Sequence, residues 1–421
     1  MLTEAQLELI GEALTPFYQE LEKFTIMDIA RRLVKTGRFT ESAELMAQAL
    51  REQGFSPARI QREVMKQLNG NAKFRKAALD NTAEYKKALA AKIKETTAAA
   101  KETVTDAMPE VGNLAFRGDM SLWKKAGVEL TKPSALSQLT QAFSKQLAGD
   151  LTNITKTTAF TLKTGAIVPS QQAYARALDN ALVRVTSGAQ SYTDAVRSVM
   201  REMADSGLKT IDYASGVKRQ IDSAARNAMS TAAGQLSGSI TDANCDQTGV
   251  NHVEVSSHLG ARTDGTGGHG DHQAWQGKVY RRKGSDAQYA NLEEATGYPS
   301  DPTGLHGYNC RHEHYPFWEG ISEPNPPLVE PPNKTYNGRE YTYYQSTQRQ
   351  RALESDIKRY KRRAYADEAL GLDTKALNGM IESKKDAYAA FSKAVDIRPK
   401  WDRTMVDGEG AADWKRVFEK E

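Results

Sequence analysis

Proline placement sets the first limit on what this 421-residue chain can fold into. Only five of its prolines occur in the first 298 residues, whereas eight fall between Pro299 and Pro332. A proline inside a helix removes a backbone hydrogen bond and clashes with the preceding turn. Long helices are therefore permitted in the first part of the chain and disfavoured in the later segment.

Apolar residues in the first part repeat at the three- and four-residue spacing of a helix face. Such stripes span residues 7–21, interrupted at Pro16, and residues 136–154. They predict amphipathic helices, with a kink or break at Pro16 and with Ser191 capping a later helix. Residues 83–107 are rich in Ala, Lys and Glu but poor in large apolar side chains. That composition favours a solvated helix or one that packs on a partner.

The pattern changes after about residue 245. HVEVSS (252–257) alternates apolar and polar residues, as a half-buried strand does. ARTDGTGGHGD (261–271) holds four glycines and predicts a loop, and WQGKVYRRKG (275–284) predicts a strand running into a turn. ISEPNPPLVEPPNK (321–334) is proline-rich and predicts an extended arm.

These features predict a mainly α N-terminal half, a small α+β, loop-rich His/Cys domain and a C-terminal helical tail. The predicted segments are a helical leader (1–110), a helical domain (111–240), a compact α+β His/Cys-rich domain (241–322), a proline-rich arm (323–340) and a basic helical tail (341–421).

Composition excludes several classes of protein. A net charge of +4 is too small to predict nucleic-acid binding by itself. No run approaches the roughly 18 to 20 apolar residues of a membrane span, so we expect none. The first residues, MLTEAQLELIGEAL, are acidic where a signal peptide would be basic. We therefore expect a protein kept in the cytoplasm or inside something assembled there. The two cysteines, Cys245 and Cys310, rule against a disulfide framework.

All seven histidines lie between His252 and His314, and the two cysteines fall close to them. Thiolate and imidazole are the ligands that zinc prefers. The sequence therefore offers a site for a single divalent metal, with zinc as the candidate cofactor. Its candidate ligands are His258, His272, Cys310 and His312. The spacing fits no finger or ribbon pattern, because there is no C-x-x-C pair. The alternative is that these residues form buried hydrogen bonds in a loop-rich domain.

A metal-dependent, nuclease-like enzyme is a second interpretation of the same region. His272 beside Asp271 could act as a general base, with help from Glu254 or Glu313, while Lys278 and Arg311 could hold a phosphate. No motif fixes the mutual geometry of these residues, so we expect no enzyme. The GTGGHG glycines precede no helix and follow no clear strand, which excludes a dinucleotide fingerprint.

The segment 349–363 holds seven Lys or Arg residues against two acidic ones. A basic helix of this kind could contact nucleic acid or an acidic protein surface, or could simply present a solvated face. The residues proposed for nucleic-acid contact are Arg359, Lys361, Arg362 and Arg363.

Several segments together resemble the phage minor capsid protein 2 family, which is related to the Mu-type head-morphogenesis proteins. The similar segments are residues 219–235, 252–262, 272–280, 295–312, 315–322 and 336–362. The ordered pair of H-x-x-W-Q-G-K (from His272) and G-x-N-C-R-H (from Gly307) is more specific than any single piece. The resemblance names these further motif positions: Arg226, Arg262, Trp275, Gly277, Lys278, Asn309 and Arg311.

The resemblance implies a minor structural protein of a tailed-phage virion. It implies a location at the capsid interior or portal vertex, with assembly in the bacterial host cytoplasm. The implied role is head morphogenesis or DNA packaging and delivery. The implied partners are the portal protein, the major capsid or scaffold protein, and possibly DNA.

Overall fold

The computed structural model describes residues 1–187, 190–212, 215–408 and 413–418, and it confirms the mainly α prediction. The α-helices of the described ranges are α1 (Glu4–Gly11), α2 (Thr15–Gly37), α3 (Glu41–Glu52), α4 (Pro57–Gly70), α5 (Ala72–Lys125), α6 (Leu136–Lys156), α7 (Ala173–Thr186), α8 (Tyr192–Ser206), α9 (Ile221–Thr248), α10 (His272–Trp275), α11 (Leu292–Thr296), α12 (Tyr343–Ala369) and α13 (Lys375–Ala394). Within these ranges, no helix is long and apolar enough to cross a membrane.

The strands are short. They are β1 (Thr158–Thr161), β2 (Ile167–Pro169), β3 (Lys209–Ile211), β4 (Lys218–Gln220), β5 (His252–Val255), β6 (Val279–Arg281), β7 (His314–Phe317), β8 (Lys334–Tyr336) and β9 (Arg339–Tyr341). They form antiparallel sheets in the orders β2-β1-β3-β4, β6-β5-β7 and β8-β9. The predicted strands at 252–257 and 275–284 are confirmed as β5 and β6. The four-stranded sheet lies in a region that the sequence predicted to be helical.

The predicted break at Pro16 is confirmed. Helix α1 ends at Gly11, a single 3-10 turn follows, and α2 begins at Thr15 with Pro16 in its first turn. A proline is tolerated there because the first-turn N–H groups have no partner inside the helix. Ser191 also caps α8 as predicted, its side chain accepting the N–H of Asp194.

Helix α5 is 54 residues long, which corresponds to about 80 Å. It contains the segment 83–107, but that segment is not fully solvated. It packs on helices of the same chain. Tyr85, Leu89 and Val104 are buried, and the helix packs on α2 and α6. Pro109 lies inside α5 on its exposed side, so α5 continues through the predicted boundary at residue 110.

Helix α9 joins the helical part to the His/Cys region. It packs on α1, α5 and α6, and it also contacts β7. Small residues of α9 allow this close packing, and Gly238 is a position where a side chain would not fit. A Cβ built there would lie 2.8 Å from the His306 ring. The helix crosses the predicted boundary at 240, and one apolar core continues across it.

The C-terminal region packs back on the N-terminal helices. Helix α12 contacts α2, α8 and α13. A second, smaller core of buried apolar residues lies here, made by Tyr341, Leu353, Ile357, Tyr388, Phe391 and Val395. The tail is therefore part of the folded body.

Candidate functional site

The sheet β6-β5-β7 holds the His/Cys region against α9. Val253 and Val255 of the central strand are fully buried and anchor it. His258 follows this strand, His272 begins α10, and Cys310 and His312 lie in the segment that leads into β7. His258 and His312, which are 54 positions apart in sequence, thus meet at one end of the sheet.

Three of the four predicted metal ligands come together in the structure. Candidate ligand atoms of His272, Cys310 and His312 lie within 4.8 Å of one another, and all three residues are buried. We call this triad the outer cluster. His258 is beside it but outside it, since its ring stacks on that of His312 with the centroids 4.2 Å apart.

Hydrogen bonds fix the two rings of the outer cluster. Nε2 of His312 is 2.9 Å from Oε1 of Gln276, and Nε2 of His272 is 2.9 Å from the carbonyl oxygen of Thr303. Oε1 of Gln276 also accepts the backbone N–H of His258, which identifies it as the oxygen. Because Oε1 of Gln276 can only accept, Nε2 of His312 carries the hydrogen and its Nδ1 keeps a lone pair. Nε2 of His272 faces both an acceptor, the Thr303 carbonyl, and a donor, the Arg262 guanidinium at 3.2 Å.

Burial keeps the outer cluster uncharged. It lowers the pKa of His272 to about 4 and the pKa of His312 well below its ordinary value. It raises the pKa of the Cys310 thiol to about 11. At neutral pH the cluster is therefore two neutral imidazoles and a thiol. Neutral imidazole binds a metal directly, whereas the thiol must first lose its proton.

A second group of polar side chains, buried except for the half-buried Asp242, lies closer to α9. We call Asp242, His306, Glu313 and His314 the inner cluster. Nε2 of His306 is 2.9 Å from Nδ1 of His314, and Nε2 of His314 is 3.4 Å from Oδ1 of Asp242. Nδ1 of His306 lies 3.8 Å from Oε1 of Glu313. The cluster is a chain of polar groups that starts and ends on a carboxyl group.

The two carboxyl groups of the inner cluster have opposite environments. Burial alone would raise the pKa of Asp242, but His314 and Arg282 hold it well below its usual range. Asp242 also accepts hydrogen bonds from Tyr298 and Arg282, at 2.7 and 2.9 Å. Burial raises the pKa of Glu313 to about 8, so this carboxyl is mostly protonated at neutral pH.

Most of the other predicted catalytic residues are engaged elsewhere. The Glu254 carboxylate accepts hydrogen bonds from Asn325 in the proline-rich arm. Lys278 donates to the Ala274 carbonyl. Asp271, although adjacent to His272, accepts the backbone N–H of Gly267. These contacts do not form an acid–base pair with His272.

Two motif arginines connect this region to the N-terminal segment. Arg226 pairs with Glu12 at 2.6 Å, and Arg311 pairs with Glu4 at 2.8 Å. Arg311, which the sequence suggested as a phosphate contact, thus has a carboxylate partner within the chain.

Two further motif residues shape the outer cluster. Trp275 is buried against the His272 and His312 rings and donates its indole N–H to the His269 carbonyl. Gly277 has φ +66°, which glycine adopts without strain, at the turn between α10 and β6. Both positions therefore set the local chain path of the cluster.

A basic cleft of about 680 Å³ lies next to the outer cluster, and His258 and His272 form part of its wall. Its cationic lining residues are Arg219, Arg262, Arg311, Arg351, Lys400 and Arg403. Glu4 and Glu8 neutralise part of this charge by pairing with Arg311 and with both Lys400 and Arg403. Sequence reasoning missed Arg219, Lys400 and Arg403, because the cleft joins segments that are far apart in the chain.

Three arginines of the cleft have no carboxylate within ion-pair distance in the described structure. Arg219 lies over the Tyr308 ring, and Arg262 donates to the Tyr308 carbonyl at 3.0 Å. Burial, together with the nearby charges of Arg311 and Arg403, lowers the pKa of Arg351. Burial is the largest cause of this shift, and the nearby Glu354 acts against it.

The four residues predicted for nucleic-acid contact have partners within the chain. Arg362 is buried, donates to the Ala204 carbonyl at 2.7 Å and lies 3.5 Å from Glu22. The others contact Asp356 (Arg359), Met405 (Lys361) and Asp205 (Arg363). Arg359, Arg362 and Arg363 thus pair with carboxylates of the same chain, whereas Lys361 contacts a thioether sulfur.

The fold is that of a predominantly helical protein whose small His/Cys-rich region packs into its core. The chain belongs to the phage minor capsid protein 2 family, whose model matches residues 2–393. It is accordingly a structural protein of a phage, located in the virion. The curated proteins and the solved structures compared with the chain give no match.

Proposed function

We propose that this protein is portal-associated inside the head of a tailed phage and acts in head morphogenesis or in DNA packaging and delivery. Its partners would be the portal protein and the major capsid or scaffold protein, met in the host cytoplasm during assembly. It would act through contacts and not through catalysis. Membership of the minor capsid family over nearly the whole chain is the observation that carries this proposal.

The proline-rich arm supports a role in contacts between proteins. It exposes apolar side chains, with Ile321 at 70% and Val329 at 83% of their accessible surface. Asn325 and Glu330 attach it to the body through hydrogen bonds to Glu254 and to the Gly260 N–H. Extended proline-rich segments bind partners at low entropic cost because they are already ordered.

Cross-linking mass spectrometry of intact heads tests the proposal. We expect cross-links from the arm to the portal protein, and co-purification when both proteins are expressed together. Val329→Asp should weaken that co-purification. The matched control is Leu45→Asp, at an apolar residue that is 63% exposed on α3. Cross-links to the major capsid protein alone would contradict portal association.

The basic cleft favours DNA contact as a second function. Arg219, Arg262 and Arg351 line it without a carboxylate at ion-pair distance in the described ranges, and DNA phosphates would pair with them. Duplex DNA binding should weaken with rising salt, and Arg351→Gln should lower the salt slope by about 1. Arg62→Gln is the control, because Arg62 lies on α4 and is 72% exposed. An unchanged salt slope for Arg351→Gln would show that the cleft does not contact DNA.

A further inference from the structure

We propose that the outer cluster is a zinc site with three protein ligands. The ligand atoms are Sγ of Cys310, Nδ1 of His312 and one ring nitrogen of His272. The fourth coordination position is left to water from the basic cleft. This inference goes beyond the proposed virion role and does not depend on it.

The spacing of the ligand atoms matches the geometry of zinc. Zinc–sulfur and zinc–nitrogen bonds of about 2.3 and 2.05 Å at a tetrahedral angle place the two atoms about 3.6 Å apart. Sγ of Cys310 and Nδ1 of His312 are 3.7 Å apart. The third ligand is within 4.8 Å of both, so a small rotation of His272 completes the set.

The groups around the triad are those that orient metal-bound histidines. Such histidines donate their second N–H to a carbonyl or carboxylate oxygen, which fixes the tautomer. Gln276 fills this role for His312 and leaves its Nδ1 lone pair for a cation, while the Thr303 carbonyl lies 2.9 Å from Nε2 of His272. Trp275 supplies an apolar wall that excludes water from one side.

His258 lies outside the ligand set, because the ligand atoms within 4.8 Å of one another belong to His272, Cys310 and His312. Its ring is stacked on His312 with the centroids 4.2 Å apart. Three protein ligands with one open position are typical of exchangeable or catalytic zinc sites, whereas structural sites are closed by four. Since His272 is in the cleft wall, the cleft is the entry path. Arg262, 3.2 Å from Nε2 of His272, favours an anionic fourth ligand such as hydroxide.

Binding must be balanced by proton release. The Cys310 thiol loses its proton to solvent as the zinc–sulfur bond forms, whereas the two neutral imidazoles bind without losing a proton. Zinc uptake should therefore release about one proton from Cys310 for each ion bound.

Elemental mass spectrometry of the dialysed full-length protein is the first test. We expect about one zinc per chain, and loss of most of it in Cys310→Ser and in His272→Ala. His258→Ala should keep the metal. His269→Ala is a matched control, because His269 is a partly exposed histidine paired with Asp301. Loss of zinc from a folded His258→Ala protein would overturn the three-ligand assignment.

A cobalt titration keeps the proposal testable if ligand variants fail to fold. Cys245 lies in the core of α9, and Cys245→Ala leaves Cys310 as the sole thiol. In that background, Co²⁺ added to metal-free protein should give a thiolate charge-transfer band, which zinc then abolishes. A folded protein that shows no band and holds no zinc would overturn the site. Neither result bears on the contacts with the portal.

Discussion

The outer and inner clusters use the same kinds of residues in one small region, but their surroundings differ. In the inner cluster, His306 and His314 face each other at 2.9 Å, and Asp242 and Glu313 lie at the two ends of the pair. In the outer cluster, two imidazoles meet a thiol at the wall of an open cleft.

That difference separates a structural role from a binding role. Each ring of the inner cluster lies between protein groups and is part of the core, although Nδ1 of His306 and Nε2 of His314 make no hydrogen bond. In the outer cluster the His312 imidazole keeps a lone pair beside a thiol at an open cleft. Enrichment in histidine alone does not tell these cases apart, but the partner of each ring nitrogen does.

Breaking the inner cluster should have the largest effect on stability. Asp242→Asn removes the anion that faces Arg282 and His314, and we expect a loss of about 3 to 5 kcal/mol in the free energy of unfolding. Asp246→Asn is the matched control, because Asp246 pairs with the same arginine but is 54% exposed. The control should cost below about 1 kcal/mol. Equal losses, measured by urea denaturation, would contradict the distinction.

The sequence predicted the helical class, the strands β5 and β6, and the ligand types. It did not predict the four-stranded sheet, because its strands TAFT, IVP, KTI and KRQ lack the alternation of apolar and polar residues that HVEVSS shows around β5. Pro109 is tolerated in α5 because its ring is on the exposed side while Met108 and Val111 are buried.

The residue types of the candidate site were predictable, but its division into an outer and an inner cluster was not. Cys310, His312 and His314 would share one face of an extended segment. Instead, the segment before β7 is irregular, so His314 joins the inner cluster while the other two form the outer one. The cleft is set by packing between residues near 260, 350 and 400, which no local pattern encodes.

Removing metal should affect the outer cluster alone. If zinc is present at about one hundred times its dissociation constant, it stabilises the fold by about 3 kcal/mol. A strong chelator should therefore lower the thermal midpoint of the natural protein. Cys310→Ser should not respond, whereas Asp242→Asn should keep its response. An equal shift in Cys310→Ser would show that the chelator acts elsewhere.

Lowering the pH should reduce the stability of the protein, because Glu8 at the cleft becomes protonated. Burial would raise the pKa of Glu8, but Arg403 and Lys400 lower it from 4.5 to about 2. The unfolded chain therefore binds the proton first, so this stabilisation is complete above pH 4.5 and disappears as the pH falls towards 2. Allowing for the partial exposure of Glu8, we expect about 2 kcal/mol.

Urea denaturation of Glu8→Gln and the natural protein at pH 7 and pH 3 measures this contribution. The difference between the two proteins should shrink at pH 3. Glu382→Gln, at a glutamate that is 66% exposed, should differ little from the natural protein at either pH. A difference for Glu8→Gln that is equal at both values would mean that the ion pairs do not titrate as described.

The smallest effect should come from Gln276, which acts on the outer cluster only through the orientation of His312. Gln276→Ala removes the acceptor of the Nε2 hydrogen, and we expect zinc affinity to fall about 10- to 100-fold. Competition with a chromophoric chelator measures this. Gln273→Ala, at an exposed glutamine of the same short helix, should leave the affinity unchanged. Gln276→Glu retains an acceptor and should restore binding, because the argument requires an oxygen facing Nε2 and not an amide. If alanine and glutamate bind zinc equally, the tautomer of His312 is fixed by something else.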